Sequence, residues 1–126
     1  MIERIQPDGL SQPTAYTHVV KHGNVVYLAG QTATDSSGNI VGVGDFEAQA
    51  DRVYENIKIG LAAAGSDATK ILRMVTYLTR REDIDIFRNS RMRHLPTNLP
   101  ASTLLFISGL ASPDYLIEVD VTAALD

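Results

Sequence analysis

From Ile117 to Ala123 every second residue is apolar: Ile117, Val119, Val121 and Ala123 point one way, while Leu116, Glu118, Asp120 and Thr122 point the other. A two-residue period marks a strand with one face on a core, and here it predicts a last strand over Tyr115 to Leu125. A different period, in steps of three and four, links Phe46, Ala50, Val53, Ile57, Leu61 and Ala64 and predicts a helix with one apolar stripe. Asp45 supplies an N-cap oxygen for an unpaired first-turn amide, and Gly65 a left-handed stop. Glu82 or Asp83 opens a second helix with Ile84, Phe87, Arg88, Met92 and Leu95 on a common side, ended by Pro96 and Pro100.

The other apolar runs read as strands. Tyr16 to Lys21 and Asn24 to Gln31 flank His22-Gly23 as a hairpin, Ile71 to Thr79 follows the first helix, and Ser102 to Leu110 reaches the last strand through Ala111-Ser112-Pro113-Asp114. The first twelve residues read as an irregular arm. Asp35 to Asn39 is a dense turn signal. Ala29-Gly30-Gln31 sets a glycine inside an apolar strand, where it marks a bulge or a close approach of backbone to another group.

Several strands, a helix, a strand, a helix and two strands make an α+β fold, with both helices on one side of a mostly antiparallel sheet and a single domain over 1–126. Two helices cover one face. Yet Leu104-Leu105-Phe106-Ile107 is apolar on both alternating faces and Val25-Val26-Tyr27-Leu28 nearly so, which calls for a partner surface on the uncovered side.

Composition narrows the function classes. With no cysteine, disulfides, thiolate nucleophiles and Cys-bound zinc are excluded. A formal charge of −4 argues against bulk nucleic-acid affinity. No run approaches the ~18 apolar residues of a membrane span. The start, Met1 to Pro7, has no basic-then-apolar secretory pattern, so a cytoplasmic setting is expected. His18, His22 and His94 lack metal-ligand spacing, and no metal site is expected.

Glu118 and Asp120, two apart on one strand face, can act as a base and a neighbour that tunes it by like-charge repulsion, or can be a solvated face. Tyr16, beside Thr17 and His18, offers a phenol and an imidazole to a pocket, or a half-buried aromatic at a strand start. Six of the eleven basic residues fall between Arg73 and Arg93. They read as a solvated helix face paired with Glu82, Asp83 and Asp85, or as an anion-binding patch in which Arg91 and Arg93 are the candidates.

In order and spacing, Tyr16, Ala29-Gly30-Gln31, Asp35 to Gly38, Gln49, Asn56, Ala64-Gly65, Val75 to Leu78, Phe87 with Asn89, Pro100-Ala101 and Ile117-Glu118-Val119 resemble the Rid (reactive intermediate deaminase, YjgF-like) family over nearly the whole chain. The resemblance implies a chorismate-mutase-like subunit in a homotrimeric barrel, with ligand clefts at the subunit interfaces. It implies cofactor-free hydrolysis of imines or enamines such as 2-aminoacrylate. Carried over by position, the family arginine that holds a substrate carboxylate falls on Ser102, and the water-activating carboxylate of the last strand on Asp120. Tyr16, Gly30, Gln31, Ser102 and Glu118 become the substrate-binding candidates. The expected activity is therefore deamination of an imine or enamine other than 2-aminoacrylate. The alternatives are a non-catalytic binding or interaction module, and RNA binding or an endoribonuclease-like role.

Overall fold

A computed structural model describes residues 1–126. Its strands are β1 (Ile2–Ile5), β2 (Val19–His22), β3 (Val25–Gln31), β4 (Ile71–Leu78), β5 (Ala101–Phe106) and β6 (Ile117–Ala124). Its helices are α1 (Phe46–Ala64) and α2 (Ile84–His94). One six-stranded sheet has the order β1-β2-β3-β6-β4-β5. Every pair is antiparallel except β4 with β5, whose connection runs through α2.

α1 forms as its caps and stripe dictate. Asp45 accepts from the Ala48 amide, and Gly65 at φ 85° closes the C-terminus. Ala50, Val53, Ile57 and Leu61 are fully buried against Val119, Val121 and Ala123 of β6 and Val26 and Leu28 of β3. Gly60 lets the helix come close: a β-carbon there would meet the Leu28 side chain at 2.5 Å.

Two elements differ from the sequence expectation. Ile2–Ile5, expected in an irregular arm, is an edge strand on β2, because Ile5 pairs opposite Val19 and packs on the core. In α2 the buried face is Phe87 and Ser90 followed by Leu95, while Met92 is 67% exposed and Arg88 is exposed. A tight 3-10 turn at Arg81–Asp83 precedes the helix, and Asp83, pinned by Arg80 at 2.8 Å, sets its rotation.

The helices lie on one face. The opposite face shows Tyr27, Thr122, Arg73, Val75, Asp120, Tyr77, Glu118 and Leu105, with Tyr27 and Leu105 at 52% and 43% exposure. That is the partly apolar, uncovered surface the strand patterns required.

Candidate functional site

The site begins with a break in register. Leu28 of β3 opposes Val121 of β6, but Gln31 opposes Val119, so Ala29 and Gly30 together face the single residue Asp120. This is the bulge that the embedded glycine announced. Its first consequence is that Gln31, which strict alternation would turn away from the helices, is buried beneath them. Its second is that Gly30 lies against Glu118, where any β-carbon would overlap the Glu118 carboxylate.

A buried hydrogen-bond chain holds the bulge. His18 Nε2 donates to the Ser11 carbonyl at 2.9 Å, and its Nδ1 accepts from Gln31 Nε2 at 3.1 Å. Gln31 Nε2 also donates to the Ala29 carbonyl at 3.0 Å. These partners suit a neutral imidazole, and burial pushes the His18 pKa below its usual value. The N-terminal arm is fastened to the same unit: Gln6 accepts from the His18 amide at 2.9 Å and donates to the Tyr16 carbonyl at 2.8 Å.

Two amides on α1 place the loops around it. Asn56 donates to the carbonyls of Thr32 and Thr34 at 3.1 and 2.9 Å. Gln49, fully buried, donates to the carbonyls of Gly42 and Asp114 and accepts from the Leu116 amide. The loop after β3 and the loop before β6 thereby form two walls. Tyr115 OH joins Thr34 Oγ1 at 2.8 Å, and Thr34 Oγ1 joins Thr32 Oγ1 at 3.1 Å.

Between arm, bulge and loops lies an open cleft of about 730 Å³, with Tyr16, His18, Gly30, Thr34, Tyr115 and Glu118 among its lining residues. Tyr16 is 51% exposed, set edge-on to His18 at 5.5 Å between centroids. Glu118 is half-buried, and burial first, then the Asp120 charge, raises its carboxyl pKa. The Tyr16 phenol is raised by burial, with smaller contributions from Tyr115 and Glu118. A carboxylate held half-desolvated beside two phenols and an open backbone is suited to take a proton from a bound water.

Of the sequence candidates, Tyr16, Gly30, Gln31 and Glu118 meet here, although Gln31 braces the bulge with its side chain. Two further candidates lie outside this cleft within the single chain. Asp120, expected as the water-activating carboxylate, does not line the cleft. It lies opposite Val75 and accepts from Tyr77 OH at 3.1 Å, two residues or about 7 Å along β6 from Glu118. Ser102 is exposed on edge strand β5, level with Met74 and on the helix side of the sheet. Three strand spacings, about 14 Å, separate its strand from that of Gly30. The anion-binding candidates are elsewhere too: Arg93 pairs with Asp51 at 3.0 Å, and Arg91 lies over Phe87 at 5.5 Å. Tyr115, Thr32 and Thr34 were not singled out from the sequence. The apolar-polar alternation of Thr32-Ala33-Thr34 just past the bulge was the available signal.

The His18 brace predicts a pH effect. Since burial lowers the folded pKa, the unfolded chain takes up the proton first, so stability falls as pH drops below the ordinary histidine value of about 6.5. His18→Gln should flatten that part of the profile. Urea midpoints between pH 5 and 8 check it, and an unchanged slope in the variant would refute the assignment.

Residues 8–125 match the family described as endoribonuclease L-PSP. A RutC family protein of Pyrococcus horikoshii is 30% identical over 108 residues, covering 86% of this chain and 85% of the relative. The protein mmf2, mitochondrial, of Schizosaccharomyces pombe is 30% identical over 122 residues, 95% of each chain. The crystal structure of RidA from an Antarctic Psychrobacter superposes with a TM-score of 0.90 at 27% identity, covering 97% of this chain and 98% of that one. With a family match over almost its whole length and relatives and folds that agree with it, the chain belongs to the Rid family, also called YjgF or RutC.

Proposed function

We propose that the protein hydrolyses an imine or enamine other than 2-aminoacrylate in this cleft, with Glu118 as the group that activates water. The observation that carries the reading is the half-buried Glu118 carboxylate packed on the Gly30 bulge, its pKa raised, facing an open cavity beside Tyr16. Water adds to the carbon of C=N while Glu118 accepts its proton and returns it to the nitrogen. Starting from the protonated imine, the C–N bond then breaks as the hydroxyl proton passes to the departing ammonia, giving a carbonyl compound and ammonium. No step needs an oxidant or a cofactor.

The uncovered sheet face with Tyr27 and Leu105 supports a homotrimer, which would bring a neighbour's edge strand, and Ser102, toward each cleft. Light scattering coupled to size exclusion should give three times the 13.7 kDa chain mass, and a monomer at micromolar concentration would refute it. The expected compartment is the cytoplasm, although the S. pombe relative is mitochondrial by name. No helix is long and apolar enough to cross a membrane.

The test is ammonia release from imines generated in the cuvette by flavin oxidases, with and without the protein. Acceleration above the spontaneous rate is expected. Ligand binding with no acceleration for any imine would instead make the protein a non-catalytic binding module. The nuclease reading suggested by the family description gains nothing from the cleft, which is lined by no lysine or arginine.

A further inference from the structure

Seventeen residues line the cleft, and Glu118 is the one among them that bears a formal charge when His18 is neutral. Asp120 stands behind it on the same strand face and adds a second negative charge close enough to raise the Glu118 pKa. Arg52, on α1, turns its Nε to the Thr34 carbonyl at 3.4 Å from outside the lining. The rest of the wall hydrogen-bonds without charge: the Thr32, Thr34 and Tyr115 hydroxyls form one chain, and Tyr16 adds a phenol hydroxyl. A carboxylate placed beside Gly30 would face Glu118 with no counter-charge on the lining that one chain supplies. A positive nitrogen there would be neutralised by Glu118, with the Tyr16 and Tyr115 phenols on the same lining.

We propose that the cleft selects small organic cations, protonated imines or amines with no carboxylate beside the nitrogen, through Glu118 with Tyr16 and Tyr115. The proposal rests on the hydrolytic reading above and narrows its substrate class. It explains why the chain dispenses with a cation at the cleft: the ligand brings its own. It also assigns the hydroxyl wall a task, since neutral donors and acceptors bind the polar body of such a ligand without competing for its charge.

A matched pair of imines tests it. A flavin amine oxidase acting on benzylamine releases the protonated imine of benzaldehyde, and a flavin amino-acid oxidase acting on phenylglycine releases the same imine bearing a carboxylate. With the full-length protein, acceleration of ammonia release should be at least about tenfold greater for the carboxylate-free imine, the factor expected when an uncompensated like charge is brought near a half-buried carboxylate. Equal or greater acceleration for the carboxylate-bearing imine overturns the proposal.

A binding arm separates this from the hydrolytic reading. Titrated against tyrosine fluorescence, benzylamine should bind at least about tenfold more tightly than benzoate, and Glu118→Gln should erase the difference. If neither imine is hydrolysed faster but this preference is seen, the hydrolytic reading falls and the cation site stands. If benzoate binds as well as benzylamine, or benzylamine does not bind, the cation site falls whatever the turnover. Loss of benzoate binding in Arg52→Gln would then name Arg52 as the source of positive charge.

Discussion

Replacing Gln49 with leucine should destabilise the protein by about 2–5 kcal/mol, more than the removal of any single exposed charge, because it strands the buried Leu116 amide at about 1–3 kcal/mol and removes two part-buried hydrogen bonds at about 0.5–1.5 kcal/mol each. The side chain is fully buried in α1, donates at 3.2 Å to the Gly42 carbonyl and at 2.8 Å to the Asp114 carbonyl, and accepts from the Leu116 amide at 2.9 Å. Leucine fills a similar volume, so the loss is of hydrogen bonds and not of packing. Urea unfolding followed by circular dichroism measures it, and a change under about 1 kcal/mol would mean that those groups find other partners. A second effect should accompany the first. Asp114 to Leu116 carries Tyr115, so the folded variant should bind cleft ligands more weakly, whereas a purely structural lesion remote from the wall would leave affinity unchanged.

The sequence made some of this legible for identifiable reasons. α1 could be read to its caps because Asp45 and Gly65 act within one turn of chain and its stripe has few competing interpretations. β6 was legible because one face is buried along its whole length, which enforces the alternation. The glycine in β3 announced a bulge, since both are local features. What failed depends on distant chain. Ile2–Ile5 has no alternation of its own and becomes a strand because β2 offers it an edge. The face of α2 is set by the turn before it and by the Arg80–Asp83 pair, so a count of three- and four-residue steps placed Met92 inside when it is exposed. Gln49 and Asn56 stood out by resemblance, yet their work as loop anchors is visible only when the carbonyls they bind are known.

The choice between Glu118 and Asp120 is of the same kind. Both sit on one face of β6, and alternation treats them alike. Their contacts separate them: the Gly30 backbone lies against the Glu118 carboxylate, while Asp120, opposite the bulge in register, has the Tyr77 hydroxyl bonded to its side chain. In the proposed mechanism the two roles weighed for the pair, a base and its tuner, fall to Glu118 as the base and to Asp120 as the neighbouring charge.

Distinct outcomes follow for the two carboxylates. Glu118→Gln should lower turnover of any accepted imine by about 10²–10⁴-fold, the usual worth of a positioned general base, because the amide keeps the shape but cannot accept a proton. The same change should raise thermal stability at neutral pH. Burial and Asp120 raise the folded pKa of Glu118 above its unfolded value, so the stability associated with its protonated form is lost as pH rises through the folded pKa, and glutamine removes that loss. Melting curves at pH 4 and pH 7 check this, with the gain expected at pH 7 and absent at pH 4. Asp120→Asn should instead keep turnover at its plateau within about threefold while moving the acid limb of the pH profile to lower pH, because Glu118 loses the charge that held its pKa up. If Asp120→Asn abolishes turnover and Glu118→Gln leaves it intact, the base is Asp120 after all, and the cleft at Gly30 is not where water is activated.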